Sequence, residues 1–268
     1  MAQPIPGTQA WLDQVQEPII DPGREIVDPH HHLWHFNFGS RYLLDDLWRD
    51  TDAGHRVTKT VYVECRSFYR EDGPAHLRSV GETETVAEVA AESAADPAHA
   101  TISGIVARAD LQEIATLDEA LAAHEDAGRG LFKGIRHTGA HAREPEGMLL
   151  QTRAPDGLYA DPSFRQGVAR LGELGLTYDT WHFHYQNTDY LELARAVPGT
   201  TMILDHFGVP LGVGAYAGKR DEVFEQWRKD ISAIAECPNV VAKLGGLAMP
   251  DNGFGWHEAA APPDSKTF

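Results

Sequence analysis

Short, apolar, β-branched runs recur along the chain at 25–28, 58–64, 101–107, 131–136, 176–182, 201–205 and 240–244. Between them, helical patterns lie near 82–95, 111–127, 162–174, 188–196 and 220–235. Strands alternating with helices predict parallel strands joined by helical crossovers. Two helix ends are marked. Asp161-Pro162 offers an N-cap with proline at the first helical position, and Gly175 stops that helix; Ala196-Val197-Pro198-Gly199 ends the next one. Residues 1–25, rich in proline and glycine, predict an arm on the surface, and 26–268 predict one domain. The segment 138–159 is long, polar and irregular, as a loop over a barrel mouth would be. An α/β barrel needs about 250 residues as a single unit, so the 268 residues present suit one.

Histidines mark several strand ends. In Asp28-Pro29-His30-His31-His32-Leu33-Trp34 an extended chain sends His30 and His32 to the same side and His31 to the other. Two imidazoles about 6–7 Å apart along a strand suit two neighbouring positions on one metal ion; a solvent-exposed histidine tract is the plainer alternative. Tyr178-Asp179-Thr180-Trp181-His182-Phe183-His184 again predicts two histidines on one face, and Ile203-Leu204-Asp205-His206 ends an apolar strand in Asp-His. A single histidine at a strand end is most often structural, but three such ends meet at one face of a parallel barrel. Arg136, beside His137 in Phe132-Lys133-Gly134-Ile135-Arg136-His137, can hold a carboxylate or polarise a carbonyl, and a rim salt bridge carries equal weight. Glu64 ends the run Thr60-Val61-Tyr62-Val63; an ion pair with Arg136 and a direct catalytic role both fit it. Gly134 lets a neighbouring strand come close, and Lys243 is read as structural.

Charge narrows the partners. With 40 acidic against 23 basic residues and a net charge of −17, the chain repels nucleic acid and anionic membrane surfaces. A small anionic substrate remains compatible, because an arginine in a cleft reverses the field locally. Cys65 and Cys237 are too few for a disulfide framework and predict reduced thiols in a cytoplasmic protein. The first residues lack the basic start and apolar run of a secretory signal, and no stretch approaches the roughly 18 apolar residues of a membrane span.

Taken together, these segments resemble the amidohydrolase superfamily, in particular its amidohydrolase-2 branch of metal-dependent and lactone-opening hydrolases. Asp28-x-His30-x-His32-Leu33-Trp34 is similar to the branch's first-strand signature, Gly134-Ile135-Arg136 to its fourth strand, and His184 falls where the fifth-strand histidine is expected. Leu204-Asp205-His206-Phe207-Gly208 and Val241-Ala242-Lys243-Leu244-Gly245-Gly246 resemble the sixth and seventh. The resemblance implies a TIM (β/α)8 barrel that lacks its eighth strand and final helices within this chain, and so a C-terminally incomplete barrel without the eighth-strand aspartate. It implies lactone opening by water attack, on a sugar or carboxylic lactone, with one divalent metal held by His30, His32, His184 and His206. Zinc is the expected ion; manganese and a metal-free site are the alternatives. His184, His206 and Arg136 are the expected catalytic residues, and Glu64, Arg136, His137 and His182 the expected substrate contacts. A decarboxylase on the same barrel and a non-catalytic scaffold are the competing functions. The implied partners are a small-molecule substrate and, as an open question, a second copy in a homo-oligomer.

Overall fold

The computed structural model describes residues 4–37, 40–150, 152 and 154–267. Its centre is a parallel sheet of seven strands ordered as they occur in the chain. They are β1 (Glu25–His31), β2 (Arg56–Val63), β3 (Thr101–Ala107), β4 (Phe132–Arg136), β5 (Thr177–Thr180), β6 (Met202–Leu204) and β7 (Val240–Ala242). Each pairs in parallel with the next. Among the described residues β1 and β7 are the two edges, so the sheet is a curled, open part of a TIM barrel.

Six helices of eight residues or more accompany the sheet: α1 (Leu44–Thr51), α2 (Val80–Ala95), α3 (Ile114–Gly128), α4 (Pro162–Glu173), α5 (Asn187–Ala196) and α6 (Arg220–Ile234). Five were expected. The additional one, α1, follows a small antiparallel hairpin, Trp34–Asn37 with Ser40–Tyr42. The α4 boundary forms as predicted: the Asp161 carboxylate accepts from Phe164 N at 2.8 Å, with Pro162 at the first helical position.

Strand lengths depart from expectation at two places that matter. β1 continues through Pro29 to His31. Proline has no N–H to give to a ladder, but β1 has only β2 beside it, and an edge tolerates the missing donor. β5 stops at Thr180 instead of running to His182.

The main core lies between strands β3 to β6 and the helices outside them. Ile135, Tyr178 and Leu204 meet Phe164, Val168 and Leu171 from α4 and Tyr190 and Leu193 from α5. A Cβ on Gly134 would stand 2.5 Å from the Thr177 carbonyl oxygen, which accounts for glycine where β4 and β5 draw together. The N-terminal arm is tied to the chain's other end: the Trp11 indole donates to Ala259 O at 2.8 Å. Both cysteines are free thiols. No helix among the described residues is long and apolar enough to cross a membrane.

Three buried histidines make the fold sensitive to acid. His31 lies 3.1 Å from the Thr60 hydroxyl, His124 lies 2.8 Å from the Thr83 hydroxyl, and His182 sits between Tyr159 OH and Asn187 Oδ1. Burial pushes each down to about 4 from the ordinary 6.5. The unfolded chain therefore takes up these protons first. Stability is untouched above pH 6.5 and is lost as pH falls from 6.5 to about 4. Each group removes up to about 3 kcal/mol across that window. These rings are expected to draw the urea midpoint down as pH falls below 6.5, against the opposite pull of Glu82 and Asp179, which burial lifts to about 7 and about 6. The fall should be shallower in His124→Gln, and an equal fall there would contradict the burial of that ring.

Candidate active site

The carboxyl ends of β1, β2, β4 and β6 meet on the inner side of the sheet. The β1 pleat turns His30 inward, and His32, just past the strand, lies beside it with the two Nε2 atoms 3.3 Å apart. His32 Nδ1 is 2.7 Å from Val63 O, which can only accept, so Nδ1 carries the proton and Nε2 is bare. Arg136 Nη1, which can only donate, lies 3.3 Å from His30 Nε2. His30 Nδ1 faces the Asp205 carboxylate at 3.5 Å, so its proton belongs on Nδ1 and its Nε2 is bare as well. Two unprotonated imidazole nitrogens thus face each other. That arrangement repels unless a cation lies between them.

Asp205 and His206 come from the end of β6. Among the described residues, one atom each of His30, Asp205 and His206 fall within 4.8 Å of one another, a spacing that suits a metal ion. Asp205 is buried, and neither oxygen has a well-formed hydrogen bond there. His206 occupies a strained turn: His206, Phe207 and Val209 all have positive φ, at 54°, 55° and 34°. Neighbouring segments hold that turn, His184 N among them, donating to Val209 O at 3.2 Å. Trp227 Nε1 donates to Phe207 O at 2.7 Å. A Cβ on Gly246 would lie 2.4 Å from His206 Nδ1, so the glycine after β7 cradles the ring.

The Arg136 guanidinium, also buried, is fixed by Glu64. Nε donates to Glu64 Oε1 at 2.9 Å and Nη2 to the Glu64 carbonyl. Lys243, expected to be structural, bridges Asp179 at 2.7 Å and Asp205 at 3.2 Å. Burial alone would raise Asp205, but contact with His30 and the charges of Lys243 and Arg136 outweigh it and hold the carboxyl below its usual range. Burial lifts Asp179 to about 6 against the pull of Lys243. Burial also lowers His30 and His32 and brings His206 to about 4, so all three rings are neutral near pH 7, the form that binds metals.

Three expected positions are engaged in other contacts. His184 falls in a 3-10 turn after β5, where strand alternation no longer applies; its Nδ1 accepts from Leu211 N at 3.2 Å and its ring meets Tyr216 edge-on. It is outside the His30–Asp205–His206 group. His182 is wholly buried between Tyr159 and Asn187, and His137 accepts from Leu111 N and packs edge-on against Phe164 of α4. Both are held in packing, and the substrate contacts expected of them do not follow from that placement. Asp205 is the residue the sequence reading passed over; its place directly before His206 at a strand end was the available signal. Lys133, exposed and donating to Gly130 O, takes no part.

A cavity of about 430 Å³ runs along β1, bordered by Asp28, His30, His32, Trp34, Tyr42 and Asp50. In the long loop after β4, Ala140, Ala142 and Met148 bury themselves against Phe183, Val209 and Leu211. Asp251 accepts from Leu149 N and Leu150 N at 2.7 and 2.9 Å and pins its tip.

Comparison with known proteins bears on the fold and the family. An uncharacterized protein of Sinorhizobium fredii, y4mH, is 28% identical over 238 residues, covering 84% of this chain and 73% of its own. An amidohydrolase of Burkholderia multivorans, solved with bound zinc, superposes with a TM-score of 0.64 at 24% identity, over 87% of this chain and 72% of its own. An amidohydrolase 2 of Bifidobacterium longum subsp. infantis gives 0.52 at 21% identity, over 83% and 73%. The amidohydrolase family model matches residues 27–266. The chain therefore belongs to the amidohydrolase family and is an enzyme of the hydrolase type.

Proposed function

We propose that this enzyme opens a lactone by water attack, at a centre where His30, His32, Asp205 and His206 hold one divalent ion, zinc before manganese. The observation that carries the metal is the pair of bare imidazole nitrogens 3.3 Å apart beside a buried carboxylate without a well-formed hydrogen bond. Such a donor set, neutral nitrogens plus one carboxylate, is what zinc takes. The zinc in the Burkholderia multivorans structure supports the same choice. An ion bound there supplies a water of lowered pKa, towards about 7, and Lewis acidity for a carbonyl.

The rest is done by the chain. The Asp205 carboxylate, 3.5 Å from His30 Nδ1, favours the proton on that nitrogen and so leaves the opposite one for coordination. Arg136, its guanidinium aimed at His30, is placed to hold a substrate carboxylate or the oxygen that gains charge as the carbonyl is attacked. Glu64 fixes that guanidinium from behind. Lys243 balances Asp179 and Asp205, so the buried carboxylates do not repel one another. The cavity along β1 has room for a small molecule. A cytoplasmic setting fits two free thiols.

The test is to load the metal-free chain with Zn²⁺ or Mn²⁺ and to present sugar and aromatic lactones, following proton release. Ring-opened acid formed only with metal is the expected result. Release of carbon dioxide would move the enzyme to the decarboxylases, and hydrolysis undiminished by chelator would remove the metal from the reaction.

A further inference from the structure

Glu82 lies outside the centre, in the first turn of α2, and is 3% exposed. One of its oxygens, Oε1, accepts three hydrogen bonds: from Tyr62 OH at 2.8 Å, Cys65 N at 2.9 Å and Ser67 N at 2.9 Å. All three donors belong to the end of β2 or the turn that follows it. That turn is strained, with Arg66 and Phe68 at φ of 63° and 58°. It also presses on the helix: a Cβ on Gly81 would come within 2.6 Å of Phe68 O. Glu64 immediately precedes this turn, and it is the anchor of Arg136.

We propose that Glu82 is a positioning residue, which clamps the strained Cys65–Ser67 turn and thereby holds Glu64 at the height where it aims Arg136 into the site. Backbone N–H groups buried in a strained turn must be satisfied, or the turn relaxes to find other partners. A single carboxylate oxygen meeting two of them and a tyrosine leaves the turn one arrangement. Relaxation would carry Glu64, the adjacent residue, and with it both contacts of Arg136. The proposal rests on the role given above to Arg136 for its kinetic consequence but not for its structural one.

The test compares the full chain with Glu82→Ala and Glu82→Gln, since glutamine keeps an acceptor oxygen and alanine does not. The Arg136 Nε–H resonance, identified by its absence in Arg136→Lys, reports the guanidinium directly. Thiol labelling of Cys65, located by mass spectrometry, reports the turn. In Glu82→Ala the resonance is expected to move or broaden and Cys65 to label about tenfold faster, whereas Glu82→Gln stays close to wild type in both. Zinc affinity is expected to stay within about twofold in both variants. KM for a hydrolysed lactone is expected to rise about tenfold in Glu82→Ala with kcat nearly kept, and glutamine to restore it. An unmoved Arg136 resonance in folded Glu82→Ala overturns the proposal, as does an equal loss of zinc, kcat and Tm, which marks general loosening. Absence of lactone hydrolysis in wild type would defeat the function proposed above, while the resonance and the labelling would still decide the role of Glu82.

Discussion

The double variant His30→Ala/His32→Ala is expected to lose zinc and lactone hydrolysis together while remaining folded. Removing two of four donors lowers zinc affinity by roughly 10³-fold or more, about 4 kcal/mol at 1.4 kcal/mol per tenfold. The metal-free variant should be no less stable than the metal-free parent, because the two facing nitrogens, 3.3 Å apart, gain nothing from each other without a cation. His31→Ala is the control. That ring faces the other way, beside Thr60 and Tyr62, so its loss should lower stability and leave zinc bound. Competition with a metal-sensitive dye and urea unfolding separate the two behaviours. Zinc retained by the double variant would mean that the ion sits elsewhere.

The second large effect is expected at Arg136. Arg136→Met leaves Glu64 buried beside an apolar chain, and an unpartnered buried charge costs about 3–5 kcal/mol. Arg136→Lys should recover part of that stability. Lysine brings the charge but cannot reach both the Glu64 carboxylate and its carbonyl as the planar guanidinium does. The double change Arg136→Met/Glu64→Gln should regain most of the stability and none of the activity, since it removes the stranded charge but not the need for a cation at the substrate. Wild type, Arg136→Met, Glu64→Gln and the double variant form a double-mutant cycle. A wild-type urea midpoint in Arg136→Met would show that the pair contributes little to the fold.

The residues that could be read in advance are those governed by short-range periodicity. Alternation along an extended segment places His30 and His32 together and His31 apart, and this holds although the pairing of β1 with β2 is irregular between Asp28 and His31. The same rule applied to His182 and His184 fails, because β5 ends at Thr180 and the two rings leave on an irregular path and a 3-10 turn. A terminus is set by packing against neighbours, which the local pattern does not encode. Glu64 and Arg136 offered an ion pair as one of two readings, and their contact at 2.9 Å places them as that pair.

What the amino-acid order determined alone was the alternation of strands and helices, the seven strands, their parallel sense and the residue types at the strand ends. Each follows from apolar spacing and backbone preference within a few neighbours. Tertiary structure decided which ends share a centre: it brought Asp205 beside His30, turned His184 aside, set Gly246 under His206 and put Glu82 beneath the turn that carries Glu64. These are meetings between distant stretches of chain. Their distances depend on sheet curvature and strained turns, and only the assembled packing fixes those.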